Sequence, residues 1–317
     1  MTEILRIATR KSPLALWQAN HVKDLLEQAH SGLRVELLPM ATTGDTRLEG
    51  PLSQVGGKGL FVKELEQSLL EQRADLAVHS MKDVPAQLPE GLCLSGVLAA
   101  EDPRDAFVCS RYASLDQLPH GARIGSASLR RQCQLRHHRP DLEFSMLRGN
   151  VDTRLRKLDE GQYDAIILAC AGLKRLGLEA HIRATLSTDL CLPAIGQGVI
   201  GLECRADDRR TLSLIEVLND PDTAVRMQAE RALNARFGGS CQTPLAGHAE
   251  LSGAGLRLRA RIGLPDGSRL VEAELHGAPA AAAQLGTAVA ERLLAAGGAD
   301  ILHILMDQVE TPHEAQP

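Results

Sequence analysis

The chain has 317 residues, enough for two or three domains of ordinary size. Hydrophobic residues make up 44% and charged residues 24%, the balance of a soluble globular protein, while aromatics at 2% leave the core to Leu, Ala, Val and Ile. A net charge of −5 argues against a general nucleic-acid binder, and no stretch approaches the roughly 20 apolar residues of a membrane-spanning helix.

Residues 4–9 are predicted as a buried strand. Ser12 then caps, and Pro13 opens, an amphipathic helix ending near residue 30. Residues 34–40 form a second strand, 61–73 a helix with Leu65, Leu69 and Leu70 at helical spacing, and 75–79 a third strand. This alternation implies parallel βαβ units. It resumes after Glu101-Asp-Pro-Arg104, with strands at 106–109, 123–125, 143–147 and 165–169 and helices at 126–138 and 151–160. Two α/β regions therefore divide near residue 100. Past residue 220 come a helix over 223–236, two alternating strands over 256–262 and 269–275 joined by a hairpin-type turn, and an Ala-rich helix over 279–296. That is a small α+β domain with an antiparallel sheet. The tail after Asp307 is polar and expected to fray.

The first residues include Glu3 and Arg6 and no long apolar run, so a secretory signal is not expected. Seven cysteines (93, 109, 133, 170, 191, 204, 241) are odd in number and contain no Cys-x-x-Cys. That pattern fits reduced thiols in a cytoplasmic protein better than a disulfide framework or a zinc site, and no metal is expected.

Four predicted strands end in charged or hydroxyl residues just before the next helix or turn. They present Arg10, Lys11 and Ser12; His79, Ser80, Lys82 and Asp83; Ser126, Ser128, Arg130 and Arg131; and Arg148, Asn150 and Arg154. In open parallel sheets ligands bind outside the carboxyl ends of the strands, where helix N-termini add donors and a positive dipole. Arginine adds a planar fork for carboxylate or phosphate. The expected ligand is strongly anionic; the plainer alternative is a set of solvated helix starts. Asp83 is an acid among bases. It could stabilise a developing cation or pass a proton, or merely pair with Lys82 or a neighbouring arginine.

Other signals are weaker. Gly196-Gln-Gly198-Val-Ile-Gly201 matches a dinucleotide fingerprint, but Pro193 precedes it and a strand, not a helix, is predicted to follow. Val55-Gly-Gly-Lys58-Gly59 lacks phosphate-loop spacing and reads as a cationic flap. Arg136-His-His-Arg139 reads as a solvated helix end. Cys241 stands apart from the other cysteines: Phe237-Gly-Gly-Ser-Cys-Gln-Thr-Pro244 sets it in a pliant loop after a long helix, presented to something. Without further information, a non-catalytic two-lobed binder of anions and a hydrolase or acyltransferase with Cys241 as turnover nucleophile are both open.

The chain resembles the porphobilinogen deaminase (hydroxymethylbilane synthase) family of tetrapyrrole biosynthesis. The matching segments are Ile7-Ala-Thr-Arg-Lys-Ser-Pro-Leu-Ala15, Gly56-Gly-Lys-Gly-Leu-Phe-Val-Lys-Glu64, Ala77-Val-His-Ser-Met-Lys-Asp-Val-Pro85 and Glu101-Asp-Pro-Arg-Asp-Ala106. Ser128-Leu-Arg-Arg131, Leu147-Arg-Gly-Asn-Val-Asp-Thr-Arg154, Leu192-Pro-Ala-Ile-Gly-Gln-Gly198 and Gly239-Ser-Cys-Gln-Thr-Pro244 follow in family order.

The resemblance implies two periplasmic-binding-protein-like α/β domains plus the small α+β domain: residues 1–99 with 197–217, then 100–196, then 218–317. It implies a transferase that condenses four porphobilinogens head to tail with loss of ammonia, and then releases linear hydroxymethylbilane by hydrolysis. It also implies a monomer working on a small molecule, with a dipyrromethane cofactor bound to Cys241 through a thioether. Asp83 matches the family's catalytic aspartate, which would stabilise an azafulvene-like intermediate. By motif position Arg10, Ser12, Lys58, Ser80, Lys82, Ser126, Ser128, Arg130, Arg131, Arg148 and Arg154 would hold cofactor, substrate or chain. Thr43, Asp45, Gln197 and Arg205 fall in matching segments with less defined roles. Gln54 is a departure, standing where many relatives have lysine.

Overall fold

The computed structural model describes residues 3–46, 59, 61–238, 243–253 and 255–310. Cys241, Lys58 and Gln54 lie outside the described residues.

The first lobe opens with β1 (Glu3–Arg10), α1 (Pro13–Ala29) and β2 (Leu33–Met40), then a single turn α2 (Thr43–Thr46), α3 (Lys63–Leu70), β3 (Leu76–Ser80) and β4 (Leu92–Val97). β1 is parallel to β2 and β3, as the βαβ reading requires. Ser12 caps α1 by accepting from the Ala15 amide, and Pro13 sits at the first turn, where its missing N–H costs nothing. On the buried face of α1, Ala19, Val22 and Leu26 pack over Leu5, Ile7 and Val35, while Ala15 and Gln18 face the cleft.

The second lobe comprises β5 (Asp105–Val108), β6 (Arg123–Gly125), α4 (Leu129–His138), β7 (Glu143–Ser145), α5 (Val151–Asp159), β8 (Ala165–Ala169), α6 (Cys170–Arg175) and β9 (Ala184–Thr185). The chain then returns through residues 186–199 to β10 (Ile200–Arg205), which enters the first sheet between β3 and β4. β10 runs antiparallel to both, because it comes back through the end of the sheet where β3 leaves. β5 is likewise antiparallel to β8 and β9. Each lobe is therefore a five-stranded sheet with a parallel trio and an antiparallel crossover strand, β2-β1-β3-β10-β4 and β7-β6-β8-β5-β9, where the sequence pattern suggested parallel units alone.

α7 (Arg209–Ile215) closes the first lobe. α8 (Pro221–Arg236) leads into an antiparallel meander of β11 (Leu245–Ser252), β12 (Gly255–Gly263) and β13 (Leu270–Gly277), covered by α9 (Ala282–Leu293) and α10 (Ala299–Glu310). β11 escaped the sequence reading because its first five residues are all buried, so no alternation shows. The other side of the meander leans on the second lobe. Arg261 donates to Gln134 and the Asp189 carbonyl, and Arg259 to Asp189 and Thr188. Arg136 and His137, read as a solvated helix end, instead contact the carbonyls of Pro265 and Gly267 in the β12–β13 turn.

A buried polar cluster lies under the first sheet. His79 Nε2 is 2.8 Å from Glu203 Oε2 across the β3–β10 pair. Glu66 of α3 is 8% exposed, and burial, then the charge of Glu203, push its carboxyl up to about 7 against a lowering by His79. A raised native pKa means that stability is highest below the unfolded value of about 4, falls as pH rises and levels off above about 7. Glu66→Gln should remove a loss of about 1–3 kcal/mol between pH 5 and pH 8, measured by urea denaturation at both. An unchanged pH dependence in the variant would place that titration elsewhere.

Candidate active site

The carboxyl ends of β1 and β3, the N-termini of α1, α4 and α5, and the returning hinge surround one cleft of about 780 Å³ between the lobes. Three of those helix starts carry side-chain caps, Ser12, Ser128 and Asn150, which accept from the amides of Ala15, Arg131 and Thr153. Their dipoles make the rim favourable for anions. The third domain reaches the same space through Arg231, Asn234, Thr243 and Leu245.

Charge in the cleft opposes the chain's net sign. The first lobe contributes Arg10, Lys11 and Lys82; the second Arg130, Arg131, Arg148, Arg154, Lys157 and Arg175; the third domain Arg231. Asp83 is the one acid among the described lining residues. Burial pushes the Lys82 ammonium down to about 8, with Asp83 opposing and Arg131 adding to the shift. Burial, then the charge of Arg131, takes Arg154 down to about 10. Lys82 and Arg154 are each only partly exposed and both feel the charge of Arg131, an arrangement that a polyanion would relieve. Arg148 fits that ligand too: its Nε is buried with no partner among the described residues.

Asp83 ends the tight 3₁₀ turn Met81–Asp83 that follows β3. Its Oδ2 is 3.6 Å from Arg10 Nη1, and Arg10 stacks over Phe61 at 4.3 Å. Both charged side chains remain partly exposed to the cleft. Gly196 lets the hinge pass against this turn, and Gly198 lets it pass the Glu101 carbonyl. Both have positive φ, and a Cβ on Gly196 would lie 2.8 Å from Met81 Cβ. The Gly-x-Gly run is thus a crossover between lobes that leads into strand β10.

Arg130 and Arg131 have a partner the sequence reading did not name. Both hold Asp105, which is fully buried at the start of β5: Arg130 Nη2 donates to Oδ2 at 2.8 Å, and Arg131 Nη2 to Oδ1 at 2.7 Å. Arg130 also donates to the Leu192 carbonyl and Arg131 to that of Ile167. Gln197 lines the cleft, but its amide bonds to Asp105 and the Pro103 carbonyl. These residues form a braced floor rather than open forks.

Ser80 lines the cleft and shares a hydrogen bond with Gln18. Ser126, Thr43 and Arg205 are not among the lining residues. Ser126 is buried behind Ser128, whose amide donates to it. Thr43 donates its amide and hydroxyl to Glu64. Arg205 ends β10, whose first residue Ile200 pairs with Ser80 at the cleft end, and it clasps the carbonyls of Leu69 and Ala74 and the carboxylate of Asp208. Asp45 falls in α2, and its side chain lies outside the described residues along with Lys58 and Cys241. Sequence reasoning missed Gln18, Lys157, Arg175 and Arg231. Gln18 had a signal, an amide among the apolar residues on the inner face of α1. No group of three or more His, Cys, Asp or Glu suited to a metal occurs among the described residues.

Two α/β lobes flank a basic cleft that a third domain also lines, a two-lobed architecture whose cleft suits a polyanionic small molecule. Residues 5–213 match the family model described as porphobilinogen deaminase, dipyromethane cofactor binding domain, and residues 224–295 match porphobilinogen deaminase, C-terminal domain. The chain belongs to the porphobilinogen deaminase family and serves tetrapyrrole biosynthesis with a dipyrromethane cofactor. Among solved structures, a double-mutant VFT2 domain of Bordetella pertussis BvgS is similar at 19% identity over 68% of this chain and 85% of that one, with a TM-score of 0.42. A methionine-bound nutrient-binding protein of Burkholderia cenocepacia is similar at 13% identity over 74% and 96%, with a TM-score of 0.43.

Proposed function

We propose that the protein is a hydroxymethylbilane synthase that condenses four porphobilinogens head to tail and releases the linear tetrapyrrole by hydrolysis. The observation that carries this reading is the cleft itself, within the cofactor-domain match, where basic groups surround Asp83 as the one described acid. Each pyrrole of the substrate bears an acetate and a propionate, so a growing chain gathers negative charge that this cleft suits. Arg10, Lys82, Arg148 and Arg154, with Ser12 and Ser128 at helix starts, hold these carboxylates. Arg130 and Arg131 add positive potential from beneath.

In each cycle the substrate's C–N bond breaks, ammonia leaves, a C–C bond forms to a pyrrole α-carbon, and that carbon loses its proton. Asp83 accepts hydrogen bonds from pyrrole N–H groups and stabilises the positive charge that develops as ammonia departs. Arg10, at its side, keeps the carboxylate aimed into the cleft. Dipyrromethane, when bound, supplies the first nucleophilic pyrrole and remains after product release. Its anchor is the Cys241 thiolate, through a thioether. Support for that anchor comes from both flanks: α8 ends at Arg236, and Thr243 and Leu245 line the cleft.

One chain completes the cleft, which supports a monomer. No described helix is long and apolar enough to cross a membrane. The six described cysteines are free thiols, which supports a reducing, cytoplasmic setting. The intact masses of the purified protein and of Cys241→Ser test the reading. An excess equal to two deaminated porphobilinogen units in the first and none in the second is expected. A protein that stays unmodified after incubation with porphobilinogen would sink it and favour a non-catalytic binder.

A further inference from the structure

Arg231, like Arg130, Arg131, Arg154 and Arg175, donates to main-chain carbonyls, but the ones it holds follow closely on Asp83. It belongs to the third domain, on α8, yet its Nη2 donates to the carbonyls of Pro85 and Ala86, at 3.1 and 2.9 Å. Those carbonyls follow directly on Asp83 and Val84, so the guanidinium clasps the loop that leaves the carboxylate. The preceding residue fixes the helix itself. Glu230 is buried, and its two oxygens accept from the Gly196 amide of the hinge at 2.7 Å and the Ala249 amide of β11 at 2.8 Å. Gly196 in turn packs against Met81 and the Lys82 amide. Two adjacent residues of α8 thus reach both ends of the Met81–Ala86 segment.

The same helix runs on to its C-cap at Phe237, about 9 Å of helix rise beyond Arg231. From there the sequence runs on to Cys241, four residues further. We propose that Arg231 is a positioning residue that acts through Asp83: it fixes the catalytic carboxylate relative to the helix from which the cofactor-bearing loop departs. A planar fork suits the task, because one nitrogen can hold two successive carbonyls and the side chain cannot lose its proton. Loss of the clasp lets the Asp83 loop shift by a fraction of a bond length or more, and catalytic groups are sensitive to such shifts.

The inference rests on the assignment of Asp83 and Cys241 above. The test compares holoenzymes of Arg231→Met, Arg231→Lys, Asp83→Glu and the Arg231→Met/Asp83→Glu double variant, each checked for the cofactor by intact mass. Arg231→Met should keep the cofactor and KM for porphobilinogen within about twofold while kcat falls about tenfold or more. Arg231→Lys, which can still donate to a carbonyl, should recover most of that loss. In the Asp83→Glu background, where the carboxylate is already displaced, Arg231→Met should cost less than about threefold more. A KM rise of about tenfold at unchanged kcat would make Arg231 a ligand for a substrate carboxylate and overturn the proposal. So would a kcat within twofold of wild type, or full additivity in the double variant. Asp83→Asn separates the two levels: if it abolishes turnover while Arg231→Met stays active, only the positioning role fails. If Asp83→Asn turns over normally, the assignment beneath it fails.

Discussion

Asp83→Asn should lower kcat by about 10²- to 10³-fold while the protein remains folded and its mass still includes the cofactor. Two features of the cleft set this expectation. Asp83 is the one acid among the described lining residues, ten of which are basic, so its carboxylate is the local negative potential where positive charge develops as ammonia leaves. Asparagine keeps the shape and can still accept a hydrogen bond, but it removes the charge and introduces a donor facing Arg10. Substrate carboxylates would still find their cationic partners, so KM should change far less than kcat. That split identifies lost transition-state stabilisation rather than lost binding. The fold should tolerate the change, because the Arg10–Asp83 contact is long at 3.6 Å and partly solvated, a kind of pair that contributes little to stability. Single-turnover ammonia release measured beside intact mass gives both halves of the result. Wild-type release from a cofactor-loaded variant would remove Asp83 from the chemistry.

What the sequence made legible was local. The Ser12 cap and Pro13 at the start of α1 are neighbours, as are the Ser128 and Asn150 caps, so helix starts and the bases beside them could be read directly. Those same starts line the cleft. What stayed hidden depends on pairing across long stretches of chain. Asp105 meets Arg130 and Arg131 from 25 and 26 residues away, and nothing in the local run Glu101-Asp-Pro-Arg-Asp-Ala106 marks it as their counter-ion. Arg205 lies in a family segment but at the far end of an antiparallel strand, a direction that only the sheet reveals. Arg231 sits on a charged helix where any arginine would pass as a solvated one. Its role depends on two carbonyls about 145 residues away.

Asp105→Asn should destabilise the protein by about 3–5 kcal/mol, the expected cost of removing one partner from a buried ionic group. Burial opposes the ionisation of Asp105, but the charges of Arg130 and Arg131, with hydrogen bonds from Arg131 and Gln197, outweigh it and hold the carboxyl below the usual range. Cys191 adds a fourth donor. Burial, then the Asp105 charge, pushes its thiol up to about 12, so it keeps its proton and donates to Oδ2 at 3.3 Å. In the variant two guanidiniums that cannot deprotonate lose their shared anion under almost no solvent. The pH dependence has a definite sign. A native pKa below the unfolded value of about 4 means the stabilisation is fully present above that value and is lost only as pH falls through the native one. The deficit of Asp105→Asn should therefore be constant from pH 5 to pH 8 and shrink only in acid, as followed by urea denaturation. A deficit below about 1 kcal/mol at neutral pH would mean that both arginines turn out to water when Asp105 is neutralised. Since the same three groups floor the cleft, such a rearrangement would also change how firmly carboxylates are held above them.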